Sequence, residues 1–80
     1  MTGELPSYRT EDGATLKQGD RAYDYYGMKP GVIGEPDFGF AGWFTFLHDD
    51  GTRDLLNGQR ICTMRTARRQ GFPNPDPPEA

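Results

Sequence analysis

The chain has one cysteine, one histidine, few aliphatic side chains and no long apolar run. Each scarcity removes a class of explanation. A single cysteine, Cys62, closes no internal disulfide, so nothing covalent staples the domain and a reducing compartment, the cytoplasm, is expected. The opening MTGELPSYRTEDGATL lacks the basic start and apolar core of an export signal. No stretch approaches the ~20 apolar residues of a membrane span, so a soluble chain with no membrane partner is expected. Zinc asks for four nitrogen or sulfur ligands, and His48 and Cys62 stand alone, fourteen positions apart, without a second pair. A calcium loop asks for alternating acids, a glycine at the sixth position and a glutamate at the twelfth, a register that DDGTRDLLNGQR does not offer. No metal and no other cofactor is expected.

What is present is aromatic and acidic. Five Phe, four Tyr and one Trp in 80 residues supply large buried area per side chain, which suits a small β fold with few Leu, Ile and Val. The length allows one domain, and only about 60 % of the unfolded surface can be buried at this size, so the core must be small. The formal net charge is −3. That balance argues against a general nucleic-acid binder, but the charge is uneven: Arg60, Arg65, Arg68 and Arg69 lie in a stretch with no acid.

Glycines punctuate short aromatic and β-branched runs from Gly19 to Met64, the spacing of an antiparallel meander. Five strands are predicted: Arg21–Tyr26, Val32–Glu35, Trp43–His48, Thr52–Leu56 and Ile61–Met64. The first two are joined through Gly27-Met28-Lys29-Pro30-Gly31, the third and fourth through Asp49-Asp50-Gly51, and Asn57-Gly58-Gln59 makes a single 3₁₀ turn before the last. Residues 1–18 show no periodicity and read as a flexible N-terminal arm. Residues 19–66 form the domain, and 67–80, with four prolines in the final ten positions, read as an arginine-containing, Pro-rich tail.

His48-Asp49-Asp50-Gly51 is the densest polar cluster, and its chemistry must be weighed against its role as a turn. Asp-Gly between two strand-like runs is a strong hairpin signal, because both residues tolerate positive φ. Adjacent carboxylates on a turn tip are solvated and lack the divergent environments that acid–base hydrolysis requires. Cys62 within ICTM alternation reads as a small core residue rather than a nucleophile served by His48. No phosphate-binding glycine loop or nucleophile elbow is present. No catalytic residue is assigned, and the chain is not expected to be an enzyme.

Gly19-Asp20-Arg21-Ala22 resembles the start of the first strand in the SH3-like small barrels, a group that includes Tudor-like and KOW-like modules. Gly27 with Lys29-Pro30-Gly31-Val32-Ile33 is similar to the turn into their second strand, and Asp50-Gly51-Thr52 to the hairpin between their third and fourth. The resemblance spans roughly residues 17–65. It implies an all-β, five-stranded antiparallel barrel over residues 19–66 that binds a peptide, a modified side chain or a nucleic-acid strand.

Alternation in WFTFLH puts Phe44, Phe46 and His48 on one face and Trp43, Thr45 and Leu47 on the other, and both cannot fill one small core. A patch of Tyr25, Tyr26, Phe38, Phe40 and Trp43 beside Asp24 is predicted to take a proline-rich or cationic ligand by stacking and cation–π contact. The expected function is a small non-enzymatic protein-interaction module, an adaptor, accessory or assembly factor, that binds a protein partner or itself. Its composition is compatible with a bacterial or bacteriophage protein. The alternative is an RNA- or DNA-contacting module that uses Arg60, Arg65, Arg68 and Arg69 on phosphates.

Overall fold

A computed structural model describes residues 6–76. Its centre is an antiparallel sheet of five strands, β3 (Arg21–Asp24), β4 (Lys29–Pro36), β5 (Trp43–His48), β6 (Arg53–Asn57) and β7 (Ile61–Cys62), in the order β6-β5-β4-β3-β7. A hairpin of β1 (Ser7–Arg9) and β2 (Thr15–Lys17) precedes it, and helix α1 (Met64–Gln70) follows it. The chain is therefore mostly β, with the sheet curled into a half-barrel.

The curl encloses Ala22, Ile33, Phe44, Phe46, Leu56 and Ile61, with Tyr8 from the first hairpin laid across them. The Tyr8 and Phe44 rings sit 4.4 Å apart at a tilt of 48°, a geometry that their ring quadrupoles favour. Behind β3 and β7 a second cluster forms from Tyr23, Cys62, Met64 and Ala67, lidded by α1, Tyr25 and Phe72. Two clusters explain why consecutive residues Ala22 and Tyr23 are both buried: β3 has a core on each face.

Trp43–His48 is a strand with the predicted bounds, and it buries Phe44, Phe46 and His48 while leaving Leu47 exposed. Asp49-Asp50-Gly51 is the predicted turn. Gly51 N–H donates to the His48 carbonyl at 3.0 Å, and Gly51 takes φ 93°, where a side chain would be strained. The 3₁₀ turn, Gly58–Arg60, falls one residue later than expected because Asn57 is its cap, accepting from Gln59 N–H.

Four readings need correction. The turn after β3 is tighter than Gly27–Gly31: the Asp24 carboxylate accepts from the Tyr26 and Gly27 N–H groups, and Met28 takes φ 60°. Thus β3 stops at Asp24 and β4 begins at Lys29, with Gly31 paired to Ala22 and His48. The predicted last strand ends at Cys62, because Thr63 accepts from Thr66 N–H and caps a helix that Gly71 closes with φ 77°.

The flexible N-terminal arm is, over its described residues, a hairpin: Tyr8 pairs with Leu16 and is buried. Its strands are too short for periodicity to reveal. Residues 67–70 belong to α1, and 71–76 fold back rather than trailing as a tail. Phe72 stacks on Tyr23, Tyr23 Oη–H donates to the Pro73 carbonyl, and Arg21 grips Asp76. Residues 1–5 of the arm and 77–80 of the tail lie outside the described residues.

Candidate functional site

The predicted aromatic patch divides into two places. Tyr25 and Tyr26 follow the C-terminal end of β3, whereas Phe38, Phe40 and Trp43 lie beyond the far end of β4. The eight residues of β4, seven steps of about 3.3 Å, separate the groups by roughly 23 Å. Asp24 joins neither. Its side chain is 2 % exposed, facing His48 and two turn N–H groups, and it does not reach a cationic side chain of a partner at the surface. Linear neighbourhood in the sequence misleads here because β4 runs on through Pro30 and Gly31.

At the first place, Tyr25 donates its hydroxyl hydrogen to the Gln59 carbonyl and Tyr26 carries the Arg60 guanidinium 4.3 Å from its ring centroid. Arg60 is thereby held against an aromatic face. Tyr25 is half-buried between Tyr26 and Phe72. This cluster satisfies its own polar groups.

The second place is different. Phe38 is 96 % exposed and Phe40 64 %. They lie on the β4–β5 loop, which is held in shape by hydrogen bonds. The Asp37 carboxylate accepts from Gly39 and Phe40 N–H at 3.0 and 2.9 Å, Asp37 N–H donates to the Trp43 carbonyl, and Trp43 N–H returns to the Phe40 carbonyl. Gly42, at φ 86°, turns the chain into β5. Half-buried Trp43 opens the outer face of the sheet, and Leu47 and Leu55, exposed on that face, continue it. The arrangement presents two phenylalanines to water on a preorganised support, the property that lowers the ordering cost of binding.

The arginines also divide. Arg60 is engaged by Tyr26, and Arg68 donates to the Asp76 carbonyl. Arg65 and Arg69, one helical turn apart on α1 and exposed, have no carboxylate within ion-pair distance among the described residues. They border a cleft of about 490 Å³ that Asp12 also lines. The Asp12 carboxylate accepts from Thr10, Thr63 and Thr66 hydroxyls and from Thr63 N–H, tying the first hairpin to the start of α1. A carboxylate in the lining works against an anion there.

The polar cluster of the third hairpin is structural at its tip. Asp49 pairs with Arg21 at 2.6 Å and Asp50 with Lys29 at 2.9 Å. The Arg21 hydrogen bonds hold the Asp49 carboxyl below its ordinary range, and those from Thr52 do the same for Asp50. His48 lies deeper, with Nε2 2.9 Å from Asp24 Oδ2 and Nδ1 3.2 Å from the Thr52 carbonyl. Both ring nitrogens have close oxygen neighbours and the side chain is only 2 % exposed, so a substrate at the surface does not reach them. Asp54, across from Phe46 on β6, brings a third donor to this spot: the ligating atoms of Asp24, His48 and Asp54 lie within 4.8 Å of one another. Sequence spacing does not show this trio, because each member comes from a different strand. The one usable signal was alternation, which puts His48 on the Phe44–Phe46 face. Cys62 is buried, and desolvation pushes its thiol up to about 11, away from nucleophilic use.

No family model, curated protein or solved structure matches the chain, so its function has to be argued from its own side chains.

Proposed function

We propose that this chain is a non-enzymatic protein-interaction module, an adaptor or assembly factor built on an SH3-like small barrel, whose binding surface is the β4–β5 loop with Phe38 and Phe40 and the adjoining face of Trp43. The five-stranded antiparallel order and the 3₁₀ turn before the last strand support the barrel reading. The observation that carries the functional reading is the near-complete exposure of Phe38 on a loop braced by Asp37. Exposed phenylalanine adds nothing to the core and invites aggregation, so a pair of them on an ordered loop marks a contact surface. Catalysis is disfavoured by the engaged His48 ring, the buried Cys62 thiol and the paired carboxylates of the hairpin.

A nucleic-acid reading rests on Arg65 and Arg69 alone, because Arg60 and Arg68 are already committed. Affinity recovery from cells that make the protein separates the two. Recovery of a defined protein by the wild type and by Arg65→Ser/Arg69→Ser, but not by Phe38→Ser/Phe40→Ser, is the expected result. Recovery of RNA or DNA that depends on the arginines and ignores the phenylalanines would overturn it.

A further inference from the structure

The geometry points to a binding site for one divalent cation of the zinc class at the end of the half-barrel, formed by His48 Nε2, Asp24 Oδ2 and the Asp54 carboxylate. It stands independently of the Phe38–Phe40 surface.

The hydrogen-bond pattern around His48 leads there. Thr52 Oγ1 gives its proton to Asp50 Oδ1 at 2.6 Å, so towards the ring it can only accept, as the Thr52 carbonyl does. Nδ1 faces two oxygens, which the tautomer with its hydrogen on Nδ1 satisfies. In the neutral ring, Nε2 then presents a lone pair to a carboxylate oxygen 2.9 Å away. Two acceptors at that distance repel unless something positive stands between them, either a second ring proton or a cation. The other oxygen of Asp24 is taken by the Tyr26 and Gly27 N–H groups, which aims Oδ2 at this point.

Asp54 tips the choice. It stands opposite Phe46, on the core-side face of the edge strand β6, where Leu56 is buried. A carboxylate turned to that face approaches the buried Asp24 carboxylate, and Asp54 has no cationic partner within ion-pair distance among the described residues. Two carboxylates and one neutral imidazole carry two negative charges, which a divalent ion balances and a single proton does not. Tetrahedral ligands about 2.1 Å from a zinc-class ion stand about 3.4 Å apart, so Nε2 and Oδ2, at 2.9 Å, must part by about 0.5 Å as the ion enters. Nδ1–H held by a backbone carbonyl is the usual outer contact of a metal-bound histidine, fixing the tautomer that offers Nε2. Imidazole with carboxylates suits first-row divalent ions such as Zn²⁺ and Co²⁺ over the all-oxygen preference of Ca²⁺ or Mg²⁺. With three protein donors, water completes the coordination.

The test uses the full chain without a histidine tag, so that His48 is the only imidazole present. Calorimetric titration with Zn²⁺ should give one equivalent bound, Co²⁺ should develop visible ligand-field bands, and the His48 ring ¹⁵N resonance should move on Zn²⁺ addition. Asp54→Asn is the decisive variant. The residue is exposed, and its replacement leaves the His48–Asp24 contact in place, so the fold is kept. It should weaken Zn²⁺ at least ~10-fold, the lower end of the loss seen even for outer-contact changes, and abolish the Zn²⁺-induced rise in thermal midpoint. No binding at millimolar Zn²⁺, or equal binding by Asp54→Asn, would overturn the assignment.

Discussion

Asp12 and Cys62 show how single side chains set measurable properties here. Burial alone would push the Asp12 carboxyl up, but hydrogen bonds from Thr10, Thr63 and Thr66 outweigh it and hold the group well below the usual carboxylate range. A carboxyl depressed in the folded state stabilises fully above the unfolded value, about 4, and loses that contribution as pH falls towards the folded one. Acid titration of stability should therefore be shallower below about pH 4 for Asp12→Asn than for the wild type. At neutral pH that variant should be less stable by about 1–3 kcal/mol, the cost of breaking a hydrogen-bonded network at one partner, measured by urea unfolding. For Cys62 the raised thiol and the absence of solvent contact predict protection: the native chain should react with a thiol reagent only as fast as it opens. Labelling at the rate of a free thiol in native buffer would show that β7 is not held as described.

At the scale of elements, close backbone approaches and caps decide where strands and helix stop. A Cβ on Gly31 would meet the Leu47 carbonyl oxygen and the Phe46 ring. Gly31→Ala should cost at least the ~1–3 kcal/mol of overpacking, visible as a lowered denaturation midpoint. Thr63→Ala removes the α1 cap and should cost about 1 kcal/mol, with loss of protection in Met64–Gln70 by hydrogen exchange. Much of the meander was legible. Gly51 marked its hairpin, and WFTFLH declared its strand and its two faces, because local backbone preference and packing agree there. The first hairpin and α1 were not legible, for a shared reason: both are short and docked by distant partners. Tyr8 needs Phe44, and the Thr63 cap needs Asp12, contacts that no periodicity within either segment encodes. Asp24 misled because it was read as part of a surface patch, whereas its position at the end of β3 buries it against a turn and His48. Phe38 and Phe40 are exposed, as a surface patch requires, but the company expected of Tyr25 and Tyr26 is broken by the length of β4.

For the molecule as a whole, two small aromatic clusters on either side of one curled sheet leave little margin. An 80-residue domain holds roughly 4–12 kcal/mol of stability at about 0.05–0.15 kcal/mol per residue, so Phe46→Ala, at about 3–5 kcal/mol, should leave it at the edge of unfolding. The same molecule leaves Phe38 and Phe40 outside the core, where they contribute almost nothing to that sum. Their double replacement by serine should leave the unfolding midpoint unchanged, in contrast to Phe46→Ala. On the proposed function, this loop meets a protein. A photo-reactive phenylalanine analogue placed at position 38 in living cells tests it most directly, with the same probe at exposed Arg9 as the comparison. One dominant protein adduct is expected at position 38, lost when Phe40 is changed to serine and missing at position 9. No adduct at 38, or the same adducts at both positions, would contradict it.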